Sequence, residues 1–144
     1  MTAQVWLRLD ELSDAERTLV EAATEASKRA YARYSGYRVG AAVRGASGRI
    51  YVGCNVENAS YGATLCAERS AVSALVASGE HELTAVSVFT ATLPLAMPCG
   101  ICRQVIAEFC RDAQVLVAGP DGALRRSFAD LLPEAFLLKP DGEA

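Results

Sequence analysis

The chain has 144 residues, 51% of them apolar and 7% aromatic, with a formal charge of −3 at neutral pH. That length suits one domain that buries a real core, and the ordinary charge content excludes a disordered chain. No apolar run is long enough to span a bilayer, and the Lys and Arg residues are scattered apart from Arg125-Arg126, which excludes a membrane span and a basic nucleic-acid groove.

Taken in chain order, Ser13-Asp14-Ala15-Glu16 forms a capping box and predicts a helix from about residue 14 to about residue 32. Residues 39–43 and 50–56 predict strands, and Ala46-Ser47-Gly48 between them predicts a hairpin. A loop rich in Asn, Ser and Gly covers 57–63. A second helix spans about 65–78 and stops where Gly79 can take the left-handed conformation. Residues 83–89 read as a buried strand, 94–98 as a loop, and about 100–110 as a third helix. A strand at 114–118, a turn at 119–122, a weaker strand at 124–128 and a short helix at 129–132 complete the order, with a loose tail after about 138. The expected fold is a single α/β domain over 1–144: helices on both faces of a mixed five-stranded sheet, three layers in all. Met1 to Glu11 has no basic-then-apolar layout, so a cytoplasmic protein is expected.

Five cysteines, at 54, 66, 99, 102 and 110, are an odd number for a disulfide framework, which leaves metal binding, catalysis or burial to explain them. Cys66-Ala67-Glu68-Arg69 and Pro98-Cys99-Gly100-Ile101-Cys102-Arg103-Gln104 each open a predicted helix after a loop. Thiolates at a helix N-terminus feel its positive end, which lowers their pKa and favours metal ligation. Cys99 and Cys102 have the C-x-x-C spacing that brings two sulfurs to one ion within one turn, and Cys66 supplies a third. Three protein ligands leave a zinc ion one open position, as catalysis requires.

Glu68 is the candidate proton carrier, since at a helix mouth its carboxylate and the Cys66 sulfur can reach one point beyond the end. Three thiolates against the two positive charges of zinc leave an anionic centre, so Arg69 is expected to offset the sulfurs, with Gln104 as a further candidate support behind the ligands. Alone, C-x-x-C also serves structural zinc sites and redox pairs. Cys54, Cys110 and Met97 read as packing residues, and the single His81 as a solvated one.

Together these stretches, with Gly53-Cys54-Asn55-Val56-Glu57-Asn58-Ala59-Ser60-Tyr61-Gly62, resemble the small homotetrameric cytidine deaminases over about residues 31–136. The resemblance implies one zinc per chain on Cys66, Cys99 and Cys102, and Glu68 as proton shuttle. It implies Asn55 and Glu57 as the pair that binds the ribose hydroxyls, and the Ala67 backbone amide as donor to the pyrimidine carbonyl. It further implies Phe136 as an aromatic reaching a neighbouring subunit's pocket, within a homotetramer with composite sites. On local sequence alone, Asn55 and Glu57 also read as loop residues, and Phe136 as a core anchor.

Two positions depart from the family pattern. Tyr37-Arg38 stand where Phe-Pro is usual, which puts a hydroxyl beside the substrate, and Ile101 replaces Ala within C-x-x-C. Both bear on substrate choice. The expected activity is hydrolytic deamination of cytidine and deoxycytidine in pyrimidine salvage. The rival readings are deamination of an antibiotic nucleoside such as blasticidin S and, from another class, a structural zinc module that binds a protein.

Overall fold

The computed structural model describes residues 5–110 and 112–138. The order is β1 (Val5–Arg8), α1 (Asp14–Ser27), β2 (Val39–Gly45), β3 (Ile50–Cys54), α2 (Ala67–Ala77), β4 (Leu83–Thr90), α3 (Gly100–Phe109), β5 (Gln114–Gly119), β6 (Gly122–Ser127) and α4 (Phe128–Leu131). One sheet runs β1-β6-β5-β4-β2-β3, with β4 and β5 parallel and the other neighbours antiparallel. A parallel pair cannot be joined by a tight turn, and α3 provides the crossover.

Strand alternation sorts the core into two layers. Ala41, Val43, Val86, Val88, Val115 and Val117 pack with Ala71, Val72 and Leu75 of α2 and Ile106 of α3. Ala42, Ala85, Phe89, Leu116 and Ala118 face the other way, against Leu19, Val20 and Ala23 of α1. The result is the expected three-layer α/β/α arrangement. Among the described residues, no helix is long and apolar enough to cross a membrane.

The sheet has six strands where five were expected. The extra one, β1, has mostly exposed residues and no pattern of its own; it exists because β6 offers it an edge, with Leu7 paired to Ala123 and Arg8 to Gly122. α1 stops at Ser27 and does not reach residue 32, because Tyr31 leaves helical geometry to bridge Val56, its amide donating to the Asn55 carbonyl at 3.0 Å. β3 likewise ends at Cys54, and Val56 bridges Leu65 instead of extending the hairpin. The tail expected after 138 lies outside the described residues.

Glu16 serves two structures at once. It completes the capping box by accepting from the Ser13 amide at 2.9 Å, and it takes a bidentate pair from Arg125 of β6 at 2.7 and 2.8 Å. Burial pushes its carboxyl up, but the Ser13 amide and the Arg125 guanidinium outweigh that and hold it below the ordinary carboxylate range.

Gly53 sets the position of α2. A Cβ there would lie 2.4 Å from the Ala71 nitrogen and 2.7 Å from the Ala67 carbonyl oxygen, so the first turns of α2 rest directly on β3. Gly48, in the β2–β3 turn, is glycine for a different reason: its φ is +87° and nothing lies within 4 Å of a built Cβ.

Two expectations follow. Gly53→Ala should cost about 2–3 kcal/mol through forced backbone displacement, and Gly48→Ala about 1–2 kcal/mol through strain alone. Denaturant unfolding gives both costs, and zinc content should fall only for Gly53→Ala. Arg125→Ala should cost on the order of 2 kcal/mol at neutral pH, less than for a fully buried pair because Arg125 is partly exposed. Because the Glu16 pKa is depressed on folding, this stabilisation is present above its unfolded pKa and is lost as pH falls through the folded value. The gap between wild type and Arg125→Ala in a pH series of unfolding curves should therefore close in acid.

Candidate active site

Cys66 and Cys99 are the N-cap residues of α2 and α3, both in extended backbone conformation and neither making a side-chain capping bond. Their sulfurs are thus available to a third party, while the unpaired first-turn amides of two helices face the same point. Cys102, one turn into α3, is fully buried. The three Sγ atoms lie within 4.8 Å of one another, with Cys66 and Cys99 3.9 Å apart. A tetrahedral zinc with Zn–S bonds of about 2.3 Å separates its sulfurs by about 3.8 Å, so the donor set fits the ion in both element type and spacing. Among the described residues no other Cys, His, Asp or Glu joins this group.

The electrostatics favour a thiolate at Cys66. A hydrogen bond from the Cys102 thiol, opposed by burial and helped by Arg69, brings Cys66 down to about 5. Cys102 moves up correspondingly, as the donor to that thiolate and as a buried group beside Glu68. The Arg69 guanidinium donates to the Thr64 carbonyl at 2.9 Å and faces the Cys66 sulfur at 3.9 Å.

Glu68, in the first turn of α2, is only 5% exposed. Burial pushes its carboxyl up to about 7; its backbone amide opposes this, the Cys66 thiolate adds to it, and Cys102 opposes it as a donor. Ala67, just before it, is fully buried, and as the first residue of the helix its N–H has no intrahelical acceptor.

A cleft of about 470 Å³ opens onto Cys66, Cys99, Ala67 and Glu68, with Asn55 and Tyr37 on one side and residues 94–97 on the other. That is an ordinary size for a small-molecule site. The Asn55 side chain accepts from the Val39 amide at 2.9 Å and donates to the Tyr37 carbonyl at 2.8 Å, which leaves one N–H and one lone pair free. The Tyr37 hydroxyl is committed to the Pro94 carbonyl at 2.6 Å, so it ties the facing loop to the cleft wall.

The other candidates lie elsewhere. Glu57 accepts from the Tyr34 and Ser35 amides at 2.9 and 3.1 Å and from the Ser35 hydroxyl at 2.5 Å. It lines a neighbouring cleft of about 240 Å³, which meets the larger one at Thr64. Phe136 is 71% exposed, and Gln104 donates to its backbone carbonyl at 2.7 Å, so Gln104 holds the C-terminal segment and not a sulfur. Cys54 and Cys110 stand outside the sulfur group, burial pushes the Cys110 thiol up to about 11, and His81 is exposed.

Sequence reasoning missed Thr64, Arg103, and Leu95 and Ala96 in the cleft wall. Thr64 and the wall residues carry no motif. Arg103 did carry a signal, as a cation placed directly after the second cysteine of C-x-x-C.

With this geometry in hand, comparison with known proteins is specific. The family described as "Cytidine and deoxycytidylate deaminase zinc-binding region" matches residues 13–118. A cytidine deaminase of Sporosarcina psychrophila is 42% identical over 125 residues, 85% of this chain and 91% of that one. One from Mycobacterium tuberculosis is 45% identical over 114 residues, 79% of this chain and 84% of that one. The crystal structure of cytidine deaminase from Burkholderia pseudomallei superposes with a TM-score of 0.79 at 40% identity, covering 87% of this chain and all of that one. A family match over most of the chain, with relatives this similar across most of both lengths, settles its affiliation: the chain belongs to the zinc-binding cytidine deaminase family of hydrolases.

Proposed function

We propose that the chain exchanges the 4-amino group of cytidine and deoxycytidine for oxygen. One water is consumed, one ammonia is released, and uridine or deoxyuridine remains, a step of pyrimidine salvage. The observation that carries this reading is a buried carboxylate, Glu68, in the cleft wall that also holds Cys66 and Cys99, whose sulfurs converge with that of the buried Cys102. Cys66, Cys99 and Cys102 would hold the zinc. Bound there, zinc supplies the Lewis acidity that makes water a nucleophile near neutral pH.

The protein residues divide the remaining work. Glu68 takes one proton from the attacking water and passes it to the ring nitrogen, then takes the second from the hydroxyl now on C4 and passes it to the departing amine, which leaves as ammonia; its burial keeps both protons from bulk water. The Ala67 amide fixes the pyrimidine carbonyl. Arg69 and the two helix ends offset the negative charge of three thiolates. Asn55 contributes its spare N–H and lone pair to the sugar. Glu57, held in place by the amides of Tyr34 and Ser35, meets the ribose where the two clefts join at Thr64.

The exposed Phe136 and Ile101 support a homotetramer in which each cleft is completed by a neighbour. The lack of a fourth ligand candidate among the described residues counts against a structural zinc module.

Glu68→Gln should retain zinc and fold while kcat falls by about 10²–10⁴-fold, because an amide can neither take nor return the proton. Metal analysis together with steady-state kinetics reads both, and near-normal turnover in a zinc-replete variant would remove Glu68 from the mechanism. Substrate ranking tests the sugar contacts. Cytidine and deoxycytidine should both be turned over, and free cytosine should be worse by about 10⁴-fold in kcat/KM, because it lacks the sugar hydroxyls that Asn55 and Glu57 would bind. Glu57→Ala should narrow that gap, and an unchanged gap would discard Glu57 as a sugar ligand.

A further inference from the structure

We infer that the Arg103 side chain is a positioning group for the metal site, pinning the peptide unit that leads into Cys99 and tying it to the end of α4. The inference rests on Cys66, Cys99 and Cys102 being the zinc ligands.

Cys99 is the least supported of the three sulfurs. Cys102 sits in the body of α3 and is buried, whereas Cys99 is exposed, precedes the helix, and makes no side-chain capping bond. Apart from the two neighbouring sulfurs, its orientation is set by the backbone. The residue before it, Pro98, is fully buried and has no N–H, so its carbonyl is the one polar backbone handle at that position.

The peptide unit after Cys99 is held by the ordinary helix bond of α3, and the one before it by the Arg103 side chain. The Arg103 backbone N–H donates to the Cys99 carbonyl at 2.9 Å, and its side-chain Nε donates to the Pro98 carbonyl at 2.8 Å. The Nη1 of the same guanidinium donates to the Leu131 carbonyl at 2.8 Å. Leu131 ends the four-residue helix α4, where carbonyls lack intrahelical donors. Gln104, the next residue, holds the Phe136 carbonyl, so adjacent α3 side chains grip two points of the C-terminal segment.

The other metal-bearing helix is built alike. Arg69, in the first turn of α2, reaches back to the Thr64 carbonyl, two residues before Cys66. Each N-cap cysteine is thus preceded by a carbonyl that an arginine of its own helix secures. The planar guanidinium presents Nε and Nη1 in fixed directions to two carbonyls on different elements, and the single point charge of a lysine ammonium does not reproduce that spread.

The experiment measures zinc affinity by chelator competition, and the sulfur-to-metal charge-transfer absorption of the cobalt(II)-substituted protein. It compares wild type, Arg103→Ala, Arg103→Lys and Arg44→Ala. Arg44 makes a comparable side-chain bond to the Ala15 carbonyl on the α1 face, and so reports the general cost of losing such a contact. Arg103→Ala should weaken zinc binding by about 10–100-fold and alter the cobalt spectrum. Arg103→Lys should fall between it and wild type, and Arg44→Ala should leave both readouts unchanged. Should Arg103→Ala not fold, Arg103→Lys decides: weaker zinc binding at wild-type Tm supports the assignment, and wild-type affinity overturns it. Zinc affinity and spectrum in Arg103→Ala matching wild type, or matching Arg44→Ala, overturn it as well. Wild-type protein that binds zinc no better than Cys99→Ser would instead overturn the ligand assignment, and this inference with it.

Discussion

The site depends on two helices beginning at the same place. α2 and α3 lie on one face of the sheet, side by side, and each starts with a cysteine in extended conformation. That arrangement is made possible by the close approach at Gly53, which lets α2 settle onto β3 with no side chain between them. It also depends on the parallel pairing of β4 and β5, which makes α3 a crossover on the same face as α2. Sulfurs from residues 33 positions apart then stand 3.9 Å from each other. Displacing α2 would move Cys66, Ala67 and Glu68 together, since they are consecutive residues at its start.

Three thiolates on one zinc would concentrate negative charge, and the fold supplies compensation from several directions. Helix ends contribute partial positive charge from both α2 and α3. Arg69 faces Cys66, held there by the Thr64 carbonyl. Glu68 is treated differently: burial, not a counter-ion, dominates its environment and favours the protonated form. A group that gains and gives up a proton in turn is served by that balance, whereas a permanently paired carboxylate is not. Glu16 shows the contrast within the same chain. It too is buried, but a bidentate arginine and a capped helix amide hold it ionised, and it ties α1 to β6.

Asn55 is fastened to the Val39 amide and the Tyr37 carbonyl, and the Tyr37 hydroxyl to the Pro94 carbonyl, so this part of the cleft is set before any ligand arrives. Preorganisation of this kind converts ligand hydrogen bonds into selectivity, because nothing has to be ordered on binding. The Tyr37 hydroxyl, expected to face the substrate, is spent on the opposite loop, which makes it a strut and not a donor to the pocket.

Local chemistry determined much of this protein from sequence alone. The capping box at Ser13, the glycine stops at Gly48 and Gly79, and the alternating strands could be read because each is enforced by neighbours along the chain. The C-x-x-C spacing placed Cys99 and Cys102 together because it spans one helical turn, whereas the C-A-E-R stretch linked Cys66 and Glu68 to them only through family resemblance, and packing of α2 beside α3 sets their distance. Tertiary structure alone decided the rest. β1 exists only because β6 leaves an edge beside it, and α1 ends early only because Tyr31 finds Val56. Glu57 lies in a separate cleft from Glu68, Gln104 serves Phe136, and Arg103 joins Pro98 to Leu131. The physical reason is common to all of these: each contact links segments distant in sequence, and a long side chain's partner is set by which carbonyl or carboxylate the packed elements bring within about 3 Å of it.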